Sequence, residues 1–168
     1  IFSILAITAA MVFVTFLAIV CYPHDVFHSS YQSVIQDKFR VLKETDEPKI
    51  IIVSGSNSGF GLNEQMLEDA TGYKVANLGL HAGFYPLFYT ELSKANINPG
   101  DIVLLGYEYG WQNTGAFDSI GTELVMSGID DNFEMYKYVP QKVWPSILGY
   151  IFEFAYKKNT FLPQTGQY

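Results

Sequence analysis

The chain has 168 residues, of which 49% are hydrophobic, so it can bury one compact core but not two. Seventeen acidic and ten basic residues give a formal net charge of −7 at pH 7, and no basic cluster exceeds the pair Lys157–Lys158. Because an acidic surface without a basic patch repels phosphate groups, we expect no nucleic-acid partner.

The chain begins with an apolar run. Residues 1–20 include no charged side chain, and the first carboxylate is Asp25. About 20 residues at a rise of 1.5 Å each match the hydrocarbon core of a bilayer. A signal peptide has a shorter apolar region and a small-residue cleavage site, which residues 20–23 do not provide. We therefore predict a transmembrane anchor over residues 1–22, with a signal peptide and a buried core helix as the alternatives.

A polar segment follows the anchor. We predict a juxtamembrane linker over residues 23–48, with a partly helical stretch from Tyr31 to Leu42. His24 and His28 fall in this linker and are expected near the membrane interface. The single cysteine, Cys21, excludes an internal disulfide, and we interpret it as an interfacial residue, with acylation as the alternative.

Residues 49–168 carry the pattern of an α/β domain. Three apolar stretches, 50–53, 74–78 and 101–105, alternate with helical patterns and with turns that contain glycine. The first stretch, 50–53, shows no alternation, which is typical of a parallel strand that is covered on both faces. This order predicts an α/β domain with a parallel sheet and flanking helices.

The helical patterns between and after these strands differ in clarity. Residues 109–139 show no clear period, so no element is predicted there. The other patterns have these apolar faces: Leu62, Met66, Leu67 and Ala70; Phe84, Leu87, Phe88, Leu92 and Ala95; and a last amphipathic helix with Val143, Trp144, Ile147, Leu148, Ile151, Phe152 and Ala155.

The loops after the three strands are the candidate sites, because ligands of an open α/β sheet bind beyond the carboxyl ends of its strands. In the first loop, Ser56 lies in a glycine-rich turn before a helix. A nucleophilic serine needs such a turn, since the oxyanion formed on attack must meet fixed N–H donors. The alternative is that Ser54, Ser56 and Ser58 only satisfy backbone groups of the turn.

Three blocks of residues follow the strands: Ser54-Gly55-Ser56-Asn57, Asn77-Leu78-Gly79-Leu80-His81-Ala82-Gly83, and Pro99-Gly100-Asp101-Ile102-Val103-Leu104-Leu105 with Tyr107-Glu108-Tyr109. Together these blocks resemble the membrane-anchored branch of the SGNH (GDSL-like) hydrolases. The resemblance covers about residues 49–110 and implies a flavodoxin-like three-layer fold. It also implies a serine esterase or O-acyltransferase that acts on acyl groups of an extracytoplasmic glycan or a similar substrate.

The resemblance implies roles for individual residues. Ser56 matches the nucleophile, and the backbone N–H of Gly79 joins that of Ser56 in the oxyanion hole. We expect Asn57, His81 and Glu108 to bind substrate. For Glu108, the alternative is a solvated charge at the end of a strand. For His81, we expect a polar side chain that lines the site, not a general base.

The chain departs from the family pattern in two places. Gly106-Tyr107-Glu108 stands where the family has an asparagine donor, and no Asp-x-x-His element occurs near the C-terminus. This element supplies the acid and base of the family. We therefore expect either that the domain over residues 49–168 is incomplete at its C-terminus, or that the fold is kept for binding.

The expected surroundings follow from the anchor and the resemblance. They are a lipid bilayer and, by resemblance, a membrane-bound acyltransferase or other membrane subunits, with the domain on the extracytoplasmic side of a single-pass anchor. No His-x-His, His-Glu-x-x-His or paired cysteine motif is present, so we expect no metal, and we expect no cofactor.

Two other interpretations compete with the hydrolase. The glycine-rich turn also resembles that of short-chain dehydrogenases. However, Leu78-Gly79-Leu80 stands where such enzymes need an acidic or basic residue to bind the cofactor ribose. Pro140 also interrupts the helix that a Tyr-x-x-x-Lys motif at Tyr138–Lys142 would need. The second is a non-catalytic subunit of a membrane assembly, for which 12 tyrosines and 13 phenylalanines supply interface-forming surface.

Overall fold

The computed structural model describes residues 2–21, 27, 30–46 and 48–160. The helices are α1 (Phe2–Cys21), α2 (Val34–Glu44), α3 (Ser56–Gly61), α4 (Glu64–Thr71), α5 (Tyr85–Ser93), α6 (Thr122–Ile129) and α7 (Trp144–Thr160). The strands are β1 (Lys49–Ser54), β2 (Lys74–Gly79) and β3 (Ile102–Gly106). Short 3-10 turns, such as Tyr31–Ser33 and Ala82–Phe84, connect several of them.

The three apolar runs form one parallel sheet in the order β2-β1-β3. Ile50 lies opposite Val75 on one side of β1 and opposite Ile102 on the other. All six residues of β1 are buried, as expected for a central strand covered on both faces. The predicted α/β class, with a parallel sheet and flanking helices, is therefore confirmed.

The two faces of the sheet bury different amounts of apolar surface. Ile51 and Val53 point into the main core, which includes side chains from α2, α5, α6 and α7. Ile50 and Ile52 point to the opposite face, where a small cluster includes only Val75 and the partly buried Leu67 and Tyr73. Since each buried aliphatic or aromatic side chain contributes roughly 1.5–3 kcal/mol, the main core accounts for most of the hydrophobic stabilisation.

Helix α2 occupies much of the segment that the sequence predicts as a linker. Ile35, Phe39 and Leu42 repeat at helical spacing, and all three are buried in the main core. The helical stretch expected between Tyr31 and Leu42 is therefore present, and its apolar face packs with the sheet of the α/β domain.

Strand β3 is exposed, although its sequence pattern is the same as that of β1. Exposed fractions run from 37% at Val103 to 59% at Leu105, because β3 pairs with β1 alone among the described residues. An apolar edge strand with free main-chain groups can accept another strand. Strand β3 is thus the exposed edge of the sheet within the described part of the chain.

The helical expectations have mixed outcomes. Helix α6 was not expected from the sequence, because the glycines around and within it obscure the apolar period. In the structure, Val125, Met126 and Ile129 are nevertheless buried at helical spacing. Helix α7 is present where a last helix was expected. In α4, Leu67 packs on the sheet while Met66 is 68% exposed, so most of the predicted apolar face of this helix is wrong.

Helix α1 presents apolar side chains to solvent along its length. Phe2 is 90% exposed and Phe13 60%, and the contact of α1 with α7 includes Phe16 and Phe152, with ring centroids 4.8 Å apart. Among the described residues, no helix combines the length and the apolar character needed to cross a bilayer. The transmembrane anchor over residues 1–22 stays a prediction.

A buried ion pair joins β1 to the residue before β3. The Nζ of Lys49 lies 2.7 Å from Oδ2 of Asp101, and both side chains are fully buried. The Asp101 carboxylate also accepts the backbone N–H groups of Lys49 and Asn98 at 2.9 and 3.0 Å. Burial raises the pKa of Asp101, but these hydrogen bonds and the Lys49 charge outweigh it and hold the pKa below its usual value.

We predict that Asp101→Asn lowers the free energy of unfolding by roughly 3–5 kcal/mol, because it leaves the buried Lys49 ammonium without a counter-charge. Urea unfolding measures the loss. Asp118→Asn is the control: Asp118 pairs with Lys142, but its side chain is 85% exposed, so the loss should be much smaller. Equal losses in the two variants would contradict the prediction.

The same pair predicts a pH dependence of stability. Because the folded pKa of Asp101 lies below the unfolded one, its contribution is complete above about pH 4 and is lost as the pH falls through the folded pKa. The free energy of unfolding of the wild type should therefore fall more steeply below about pH 4 than that of Asp101→Asn. Parallel pH profiles would show that Asp101 does not contribute in this way.

Candidate functional site

The three predicted loops meet at one edge of the sheet. Ser54 at the end of β1 lies opposite Gly79 at the end of β2 and Gly106 at the end of β3. The carboxyl ends of parallel strands form the usual ligand-binding crevice of an open α/β sheet. The parallel register therefore brings the loops with Ser56, His81 and Glu108 to this edge.

Ser56 is the first residue of α3, and one residue, Gly55, separates it from the buried end of β1. Its side chain is half-buried, and its hydroxyl has no hydrogen-bond partner among the described residues. Asn57 is exposed, and its Oδ1 accepts the backbone N–H of Ser58 at 2.9 Å, so this side chain turns toward its own loop. Ser56 is thus the serine of this turn with an unengaged hydroxyl.

The other two serines are held in a hydrogen-bond network around Asn77, which is 5% exposed. The hydroxyl of Ser58 lies 3.2 Å from Oδ1 of Asn77 and is hydrogen-bonded to that of Ser54, while Nδ2 of Asn77 donates to the Ser58 carbonyl at 3.1 Å. These contacts connect the first loop to the end of β2. The alternative in which the serines only stabilise the turn therefore describes Ser54 and Ser58.

Asn77 is a site residue that sequence reasoning missed, although a polar residue within the apolar run of β2 is a signal of such a role. Buried amides are almost always hydrogen-bonded, and Asn77 uses both ends of its amide here. The Nζ of Lys38, on α2, also donates to the Asn77 carbonyl at 2.9 Å. Burial lowers the pKa of Lys38, and the charge of Glu64 partly opposes this.

Gly79 lies against the first loop. Its backbone N–H donates to Oδ1 of Asn77 at 2.8 Å, so an oxyanion would share this donor with Asn77 or displace it. A Cβ at position 79 would meet the backbone nitrogen of Gly59, and it would lie 2.6 Å from Oγ of Ser58 and 2.8 Å from Cα of Gly59. The close approach of the two loops therefore requires glycine at position 79.

Glu108 lies beside the turn that carries Ser56. A Cβ placed on Gly55 would overlap Oε1 of Glu108 and would lie 2.9 Å from its Cδ. Glu108 is half-buried, and its carboxylate makes no hydrogen bond or ion pair with the described residues. The Glu108 carboxylate therefore lies against the residue that precedes Ser56.

Tyr89 is a further polar residue near this loop that the sequence did not indicate. Its side chain is fully buried, and its hydroxyl has no hydrogen-bond partner among the described residues. The ring lies against those of Tyr107 and Trp111, with centroids 6.4 and 5.8 Å away. Burial raises the pKa of Tyr89, and the charges of Glu108 and Tyr107 raise it further. The hydroxyl therefore stays protonated.

His81 lies in the loop after β2, and β2 and β3 are on opposite sides of β1. It is exposed, and its Nδ1 accepts the backbone N–H of Gly83 at 3.0 Å. Its ring meets that of Tyr31 edge-on at 6.0 Å, and Tyr31 stacks on Phe60 at 5.8 Å. The contacts of His81 are those of polar lining beside an aromatic pair. His24 and His28 lie outside the described residues.

Other features of the surface do not add to this site. Within the described part of the chain, no group of three or more His, Cys, Asp and Glu side chains is placed to hold a metal ion. A cleft lined by residues of α2 with Asn132 and Glu134 includes none of the residues of the strand-end site. The site is therefore built from Ser56, Glu108 and Tyr89, with Asn77 and the glycines as its frame.

No protein-family model, no curated protein and no solved structure matches this chain significantly. The fold and the site together define an α/β domain with a parallel sheet. At the carboxyl ends of two neighbouring strands lie a serine hydroxyl and a carboxylate that have no partner within the described part of the chain.

We predict that Gly79→Ala lowers the melting temperature, because the new methyl group forces α3 away from β2 and weakens the network around Asn77. Overpacking of this kind costs roughly 1–3 kcal/mol. Gly61→Ala is the matched control, since a Cβ at position 61 meets nothing within 4 Å. A melting temperature of Gly79→Ala equal to that of the control would contradict the close packing described.

Proposed function

We propose that this protein is an SGNH-like serine esterase or O-acyltransferase, which acts on acyl groups of an extracytoplasmic glycan or a similar substrate. The observation that carries the proposal is the half-buried Ser56 hydroxyl at the start of α3, next to Gly55, against which the Glu108 carboxylate lies. Neither group has a hydrogen-bond partner in the part of the chain that the structure describes. A serine hydroxyl that makes no hydrogen bond within the described residues keeps its oxygen available to a substrate. The neighbouring serines, in contrast, have structural partners.

The geometry of the turn supports the following chemistry in this proposal. The Ser56 Oγ attacks the carbonyl carbon of an ester, and backbone N–H groups at the start of α3 face the oxygen that gains negative charge. The alcohol leaves, and the acyl group is carried on Ser56 until water or an acceptor hydroxyl removes it. The Gly79 N–H is the second oxyanion donor in this proposal, and Asn77 orients it through the hydrogen bond to its Oδ1.

The substrate-binding side of the proposal rests on the residues around the crevice. Asn57 and His81 are exposed on the loops after β1 and β2, and Glu108 lies on the loop after β3. Hydroxyl groups of a glycan are suited to amide, imidazole and carboxylate partners. Tyr109 is fully exposed beside Glu108 and offers an aromatic face to a sugar ring.

Membrane attachment belongs to the same proposal and is supported by α1. The side chains of α1 between Phe2 and Val14 include many large apolar groups that are 60% exposed or more. A contiguous row of exposed apolar side chains marks a contact with a membrane or with another protein. We propose that α1 inserts into a bilayer, with a membrane-bound acyltransferase as the partner that the resemblance implies.

A non-catalytic subunit of a membrane assembly is the second candidate. It is favoured by the exposed apolar edge of β3 and by the exposed stripe of Leu148, Phe152 and Tyr156 on α7, which are surfaces suited to a protein partner. This candidate requires no turnover at Ser56, so the first experiment separates the two functions.

We predict that wild-type protein hydrolyses p-nitrophenyl acetate and is labelled by a fluorophosphonate probe, and that Ser56→Ala loses both activities, because Ser56 supplies the attacking oxygen. Absorbance at release of nitrophenol and intact-mass spectrometry are the measurements. Ser127→Ala is the control, since Ser127 is exposed on α6 and only donates to the Glu123 carbonyl at 2.8 Å. Unchanged labelling of Ser56→Ala would remove Ser56 from the mechanism, and an unlabelled wild type would favour the second candidate.

We predict that the double substitution Val12→Lys with Phe13→Lys releases the protein from phosphatidylcholine vesicles, because each lysine at the centre of an inserted helix costs about 2.5–3.5 kcal/mol. Co-sedimentation after an alkaline wash measures the bound fraction. The control is Val34→Lys with Val41→Lys, since these residues lie on the exposed side of α2 at 38% and 40% exposure. Equal sedimentation of the two variants would exclude α1 as the anchor.

A further inference from the structure

A serine hydroxyl needs a group that accepts its proton, because the neutral hydroxyl is a weak nucleophile. The resemblance assigns this task to a histidine. His81 is the histidine of the described part of the α/β domain, and its Nδ1 already accepts the backbone N–H of Gly83. The proton therefore needs another acceptor among the side chains next to Ser56.

The carboxylate of Glu108 is such an acceptor. It occupies the space that a side chain at position 55 would fill. Because Gly55 has no side chain, the Glu108 carboxylate can approach the backbone of the residue before Ser56. A carboxylate that is half-buried and has no ion pair or hydrogen bond with the described residues keeps its acceptor capacity for another group. Other acidic side chains, such as those of Asp101 and Glu68, are engaged in ion pairs.

The hydroxyl of Tyr89 adds an independent observation. It is fully buried and has no partner among the described residues, and a buried hydroxyl is costly unless a hydrogen bond satisfies it. The Glu108 charge is near enough to raise the pKa of Tyr89, after the larger effect of burial. A protonated phenol can donate to a carboxylate through one bridging water molecule.

We infer that Glu108 is the general base of this site, with Tyr89 as the residue that positions its carboxylate, and this inference rests on the proposed esterase or acyltransferase function. When the Ser56 Oγ forms its bond to the acyl carbon, its proton passes to a Glu108 oxygen, and the carbonyl electron pair moves onto the oxygen. When the tetrahedral intermediate collapses, the bond to the leaving alcohol breaks, and the alkoxide takes this proton. The second half-reaction repeats these steps with water or an acceptor hydroxyl.

The test compares Glu108→Gln, Glu108→Asp and Glu108→Ala in the full chain, with p-nitrophenyl acetate as substrate. General-base catalysis contributes about 10²–10⁴-fold, so Glu108→Gln should lower kcat by that factor while KM changes little. Glu108→Asp keeps the carboxylate and should recover part of kcat. Sodium formate should raise the turnover of Glu108→Ala, because it supplies a carboxylate to the space left by the side chain.

The control variant is Glu44→Gln, an exposed glutamate that pairs with Arg40 on α2, and its kcat should equal that of the wild type. Thermal unfolding of every variant checks the fold. Tyr89→Phe should lower kcat by less than Glu108→Gln, without loss of stability, since the change removes an unpartnered hydroxyl and keeps the ring contacts.

Three outcomes would overturn the inference. If Glu108→Gln keeps the wild-type kcat while Ser56→Ala is inactive, Glu108 is not the base and the proposed function still stands. If Glu108→Gln loses turnover, formate has no effect on Glu108→Ala and both melt at a lower temperature, the role of Glu108 is structural. If the wild type shows no turnover that depends on Ser56, the inference and the proposed function fail together.

Discussion

The central position of β1 is the constraint on which the rest of the structure depends. Its six residues are buried, and it pairs in parallel with β2 on one side and β3 on the other. Because all three strands run in one direction, their carboxyl ends and the loops that follow them meet at one edge. The buried pair of Lys49 and Asp101 connects the opposite end of β1 to the start of β3.

The strand-end site combines a rigid frame with a few unengaged groups. Asn77 hydrogen-bonds to the first loop and to the Gly79 N–H, and the glycines at positions 55, 59 and 79 allow backbone and side chains to approach closely. Ser56, Glu108 and Tyr89 project from this frame without hydrogen-bond partners in the described residues. The frame holds these groups in fixed positions. The proposed reaction requires this, because a catalytic group must be oriented toward its substrate.

The apolar surfaces that remain exposed relate the domain to its surroundings. They are the side chains of α1, the edge of β3 and one stripe of α7, and the contact of Phe16 with Phe152 joins the first surface to the third. Surfaces of this kind are covered by lipid or by another protein in a working assembly. These exposed surfaces are compatible with the membrane attachment and the protein partner that we propose.

The local sequence determined the strands, the glycine-rich turns and most of the buried helices, because apolar periodicity and turn residues act over a few positions. Helix α6 could not be predicted in this way, since the glycines around it interrupt the pattern. The tertiary structure alone decided which serine is free. The three serines of the first loop have similar neighbours in sequence. Only the contact with Asn77, which is 19 residues from Ser58, distinguishes them: it holds Ser58, and through it Ser54, but not Ser56. The position of Glu108 depends likewise on the pairing of β3 with β1 and on the missing side chain of Gly55, which are contacts between distant parts of the chain.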